Sequence, residues 1–152
     1  MKITSNIIIS APHIVIPQTY WNPLLGEVLR DADLITEGQL QIALRDKQEY
    51  KHQKIGEILA LRGWIKQETV DFFAEEWANC LQQGAKYPIG QYLRQAALLD
   101  QKDIENILDL QQHLKIRFGE IAVSQGLLTR KTLNFFLNNL LCQAAEDTLF
   151  VA

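Results

Sequence analysis

The sequence is poor in the residues that usually announce chemistry. Its 152 residues include two cysteines, three histidines and one methionine. Cys80 and Cys142 stand far apart with no CxxC spacing, which excludes a zinc site or a disulfide scaffold and leaves two small core residues in a reducing cytosol. His13, His52 and His113 have no partnered nucleophile at a suggestive spacing, and no G-x-x-x-x-G-K-[ST] phosphate loop is present. No metal, no catalytic residues and no enzymatic activity are therefore expected. A basic excess is missing too: 15 Lys and Arg stand against 18 Asp and Glu, a net charge of −3. That balance excludes a general nucleic-acid binder, whose affinity comes from neutralising phosphates. No apolar run approaches the roughly 18 residues that span a bilayer, so membrane insertion is not expected. The apolar N-terminus is broken by Pro12 and His13 and lacks a clean small-residue cleavage site, so no signal peptide is read.

What the sequence does contain is one short phrase stated four times. It reads LLGEVLRDADLIT from Leu24, KIGEILALRGWIK from Lys54, PIGQYLRQAALLD from Pro88 and RFGEIAVSQGLLT from Arg117. A hydrophobic pattern recurring about every thirty residues marks a repeated supersecondary unit. The glycines Gly26 and Gly90 lie 64 residues apart and Gly56 and Gly119 lie 63 apart, so the phrase is duplicated as a pair. The even copies share a second glycine, Gly63 and Gly126, and a Phe-Phe pair sixteen residues after the first glycine, Phe72-Phe73 and Phe135-Phe136.

Each copy predicts a short helix, a tight turn and a longer helix. Apolar residues fall at i, i+3 and i+4 in the short helices: Leu25, Val28, Leu29; Ile55, Ile58, Leu59; Ile89, Tyr92, Leu93; Phe118, Ile121, Ala122. The stripes continue as Leu40, Ala43, Leu44; Val70, Phe73, Ala74, Trp77, Leu81; Ile104, Ile107, Leu108; and Leu133, Phe136, Leu137, Leu140, Ala144. Gly63 and Gly126 stand where a helix end takes a left-handed residue. Asp33 and Ala97 stand there in the odd copies, and because Ala tolerates that conformation poorly the odd turns are expected to differ in shape. Thr36, Asp100 and Thr129 are good N-caps for the second helices, Thr36 with Gln39 at capping-box spacing, and Lys66 is the exception.

The fold expected is all-α: four helix-turn-helix repeats in two pseudo-duplicated halves, residues 24–81 and 88–152, joined closely near Gln82-Gln83-Gly84. Residues 1–23 precede the repeats as an extended arm, with β-branched runs at Ile7-Ile8-Ile9 and at Ile14 and Ile16. So apolar an arm must be covered, either by its own bundle or by strand pairing in a homodimer or with a partner.

The repeated phrase resembles the N-terminal domain of type II secretion and type IV pilus assembly ATPases, and the resemblance covers about residues 24–142. It implies a docking domain for a secretion- or pilus-type ATPase or a regulatory protein. In some relatives it implies a receptor for cyclic di-GMP through copies of R-L-G-x-x-L-x-x-x-G-L-L, each followed by a helix ending in Gln. On that pattern the leading Arg position holds Leu24, Lys54, Pro88 and Arg117, and the helix-ending Gln position holds Lys47, Trp77, Gln111 and Leu140. The ATPase part of the resembled proteins is absent from this sequence.

The ligand-binding residues this implies are Lys54, Gly56 and Gly63 in the second copy and Arg117, Gly119 and Gly126 in the fourth. A cation and a bare backbone at a helix N-terminus suit a phosphate, and Arg adds a planar fork. The competing reading is that each glycine permits close helix packing while Glu57 and Glu120 neutralise the cations. Phe72 and Phe135 lie about 200° around the helix from Val70 and Leu133, off the core stripe. They pack against a neighbouring repeat or serve, with Ile14 and Ile16, as partner-binding residues.

Overall fold

A computed structural model describes residues 21–140; the arm with Ile14 and Ile16, and Cys142 and Ala144, lie outside the described residues. The described chain is helical: α1 (Trp21–Asp31), α2 (Glu37–Glu49), α3 (Ile55–Leu61), α4 (residues 67–83), α5 (Ile89–Gln95), α6 (Gln101–Leu114), α7 (Phe118–Ser124) and α8 (Arg130–Leu140). Helix α1 begins at Trp21, inside the stretch read as an arm. Pro23 sits in its first turn, where the missing N–H costs no intrahelical bond.

The short helices bury the stripes their spacing predicts. Leu29, Ile55, Leu59, Leu93, Phe118 and Ala122 are essentially inaccessible. Helix α1 packs on α3, α5 packs on α7, and the long helices α4 and α8 pack on each other. Thr36 and Asp100 cap α2 and α6 with reciprocal capping boxes to Gln39 and Asp103. Thr129 Oγ1 accepts the Thr132 N–H at 3.1 Å, and Lys66 makes no side-chain cap.

The four turns correct an expectation, because they share one conformation. Asp33, Gly63, Ala97 and Gly126 all take positive φ, at 63°, 77°, 60° and 75°. In each, the N–H of the left-handed residue bonds three residues back and the next N–H bonds five back, as in Leu34 to Leu29, Trp64 to Leu59, Leu98 to Leu93 and Leu127 to Ala122. This double closure satisfies helix-terminal carbonyls. It outweighs the roughly 1–2 kcal/mol that a side chain costs in the left-handed region. Asp33 gains further support from Thr129, whose hydroxyl donates to its carboxylate at 2.7 Å. Ala97 has no side chain to do the same. Ala97→Gly should therefore stabilise the fold by about 0.5–1 kcal/mol, the relieved strain less the extra unfolded-state entropy of glycine. Urea midpoints measure this, and Gly63→Ala should move them the other way.

Helix α4 departs from the 3.6-residue period. Residues Phe72–Glu76 form a π-helical turn, in which the Trp77 N–H bonds the Phe72 carbonyl five residues back. The wider turn rotates two consecutive phenylalanines inward. Phe72 is 2% exposed, whereas Ala74, read as part of the buried stripe, is exposed. Phe72 thus cannot be a surface anchor. Phe73 and Trp77 of α4 meet Phe135 and Phe136 of α8, with Trp77 stacked on Phe135 at 5.4 Å and edge-on to Phe136 at 5.3 Å. These aromatics join the two parts of the chain.

Polar contacts cross the same junction at its two ends. Thr132 Oγ1, buried at the start of α8, donates to the Ala32 carbonyl in the first turn at 2.7 Å. Lys66, preceding α4, reaches the Ala97 carbonyl in the third turn at 3.3 Å. The connection after Gln83 turns at Gly84, φ 76°, and is held by Tyr92, whose hydroxyl accepts the Lys86 N–H at 2.9 Å.

Candidate functional site

Lys54 and Arg117 are exposed and stand as N-caps of α3 and α7, as the phrase predicts. The glycines that follow them are not open to a ligand. Gly56 lies against the Val70 side chain of α4 so closely that a Cβ would overlap it. A Cβ on Gly119 would come within 2.6 Å of Leu133 in α8, and one on Gly26 within 2.5 Å of Leu40 in α2. In these three hairpins the glycine lets the long helix lie directly on the short one, the packing alternative raised by the sequence. Gly63 and Gly126 face open space and serve backbone conformation.

Each of these helices carries a carboxylate in its first turn, Glu57 in α3 and Glu120 in α7. Glu57 accepts the Lys54 N–H at 3.0 Å, so one of the free donors of α3 is taken. Glu120 takes a two-pronged bond from Arg130, at 2.6 and 2.8 Å, and this hydrogen bonding holds its carboxyl below the usual range. Among the described residues no group of His, Cys, Asp and Glu is placed to hold a metal ion. No described helix is long and apolar enough to cross a membrane.

The third hairpin is built differently from the other three. The atoms nearest the surface of Gly90 belong to the ring of Phe118, with Cζ 2.8 Å from where a Cβ would stand, where in the other three copies the nearest atom comes from the long helix. Phe118 occupies the place that the smaller Ile55 fills in the second copy. The aromatic ring fills the space in which a residue of α6 would otherwise seat. Ile104, the counterpart of Leu40, Val70 and Leu133, is only half-buried where those three are buried. One turn on, Leu108 is 44% exposed, although its spacing places it in the core stripe.

A groove of about 280 Å³ opens along α5, α6 and the start of α7. Gly90, Phe118, Ile104 and Leu108 give it an apolar floor, and Arg94 and Gln101 stand at its rim. It continues past Arg94 and Gln101 into a second, more polar crease beside Lys66 and Asp100. An apolar concavity with a few convergent polar groups is the form that binding sites take. The sequence reading missed it. Neither Lys54 nor Arg117 lines it, and none of the sequence-predicted site residues within the described residues is among its described lining residues.

Fold and groove together define a helical module with a lateral apolar groove. Over 127 residues the chain is 48% identical to an uncharacterized protein of Picosynechococcus sp. strain PCC 7002, a match covering 84% of this chain and 69% of that protein. The chain belongs to the same family as that protein. No protein-family model and no solved structure matches it.

Proposed function

We propose that this chain is a non-enzymatic docking or regulatory module of the kind found at the N-terminus of secretion and pilus ATPases. It is built from four copies of one helical hairpin in two duplicated halves behind an extended arm. It works in the cytosol, and its partner is a protein such as a secretion- or pilus-type ATPase. The duplicated architecture is supported by the four matching turns and by the reciprocal contacts at the junction. There the first turn meets the start of α8, and the third turn meets the start of α4.

The observation that carries docking is the groove. An apolar floor of Phe118, Ile104 and Leu108 is left open between the helices of the third hairpin, and its exposure carries a solubility cost that burial by a partner removes. The packed glycines favour this reading over a nucleotide receptor acting through Lys54, Gly56, Arg117 and Gly119.

The test is binding of purified candidate ATPases and regulators to variants of the whole chain. Leu108→Glu should weaken the complex at least tenfold, a change of about 1.4 kcal/mol, while Arg117→Ala stays close to the parent. Binding that survives Leu108→Glu and fails in Arg117→Ala would move the function to the fourth-copy loop and to the nucleotide reading.

A further inference from the structure

The two halves close their first hairpins differently, and the difference specifies what the groove takes. Residues of the first half correspond to those 64 positions later, as Gly26 does to Gly90. In the first half, Leu40 seats on Gly26 and is 3% exposed. Beside it Arg30 donates to Glu37 at 2.9 Å and to Asp31 at 3.2 Å, tying α1 to α2. The hairpin is closed by one leucine and a carboxylate.

In the second half both closures are gone. Phe118 covers Gly90, leaving Ile104 half out. Arg94 corresponds to Arg30, but Glu37 has become Gln101 and Asp31 has become Gln95. The Arg94 guanidinium is exposed at the groove rim, with no ion pair to a described residue. Asp100 and Asp103 stand in the adjoining crease, each engaged in capping α6 through the other's backbone N–H, at 2.8 and 3.0 Å. The groove therefore presents an apolar floor with a cation at its edge and no carboxylate among its described lining residues.

Resting on the docking reading above, we propose that the groove takes an acidic amphipathic helix of a partner protein. That helix supplies from outside what α2 supplies in the first half: a leucine-sized side chain on the Phe118–Leu108 floor and a carboxylate on Arg94. Glu37 and Leu40 stand three residues apart on one helix face, and the partner segment carries the same pair at the same spacing. Arg suits this role because its planar fork takes a carboxylate in two bonds.

The probe is a blocked, alanine-rich helical peptide with Glu and Leu three positions apart, titrated into the 15N-labelled full chain and followed by amide and Arg Nε shifts. Gly90, Gln91, Gln101 and the Arg94 Nε should move. Lys in place of Glu should weaken the effect by about threefold or more, the scale of a rim ion pair. Arg94→Glu should reverse the preference between the two peptides. Equal response to both peptides, or no reversal, overturns the carboxylate assignment. Shifts confined to another face, such as that of Leu61 or Tyr50, overturn the groove assignment and leave docking standing elsewhere. Movement of the Gly90 and Arg94 signals in Glu146→Lys/Asp147→Lys without any peptide would show the chain's own C-terminal segment as the occupant, which also overturns the proposal.

Discussion

Phe136→Ala should lower the unfolding free energy by about 3–5 kcal/mol, the cost of deleting a buried phenylalanine. Phe136 is wholly inaccessible and contacts three other rings, those of Phe73, Trp77 and Phe135. It belongs to α8 while Phe73 and Trp77 belong to α4, so the cavity opens where the two parts of the chain join. A domain of this size commonly has only about 5–15 kcal/mol in total, so the variant loses a large share of its stability. The midpoint of thermal unfolding should fall by roughly 10 °C. Phe135→Ala should cost less, about 1–2 kcal/mol, because Phe135 is half-buried and its main loss is the stack on Trp77. If the aromatics were a solvent-facing anchor, both substitutions would leave the unfolding free energy within about 0.5 kcal/mol of the parent.

Gly56→Ala should also destabilise, by about 1–2 kcal/mol. Alanine gains about 1 kcal/mol of intrinsic helix preference over glycine, but its methyl group overlaps Val70 and presses on Leu25 at 3.3 Å. Val70 is β-branched and buried, so it cannot swing aside cheaply. Val70→Ala alone should cost about 2–3 kcal/mol through the cavity it leaves. The double variant should then cost less than the two singles together by at least about 1 kcal/mol, because each change makes room for the other. This coupling separates the two meanings of the glycine. A glycine kept for close backbone approach to a ligand would show additive stabilities and would lose only ligand binding.

Much of this fold was legible in the sequence, and the parts that were not have physical reasons. The short-helix stripes could be read because three residues such as Ile55, Ile58 and Leu59 can share one face only in a helix. The caps at Thr36 and Asp100 could be read because their chemistry is local. The shape of the odd turns is not legible from residue preference, because two backbone bonds fix Asp33 and Ala97 in the left-handed region. The face of Phe72 is not legible from a constant 3.6-residue period, because a π turn interrupts that period at Phe72–Glu76. That turn serves contacts with Phe135 and Phe136, some sixty residues away, which no local pattern announces.

The groove was hidden for a related reason. It depends on Phe118 seating where the other copies seat a residue of their own long helix, a consequence of size in a different repeat. One signal was available. Aligning the halves at 64 residues shows Arg30 and Glu37 replaced by Arg94 and Gln101, a charge pair reduced to a single charge.

The most direct measurement is isothermal titration calorimetry of the full chain with cyclic di-GMP, with cyclic di-AMP and GTP as controls. Glycines packed under Val70 and Leu133, and a carboxylate in the first turn of each helix, Glu57 on the Lys54 N–H and Glu120 beside Arg117, predict no binding heat at high ligand concentration. Saturable binding at micromolar concentration that disappears in Arg117→Ala would contradict that prediction and return the site to the second and fourth loops.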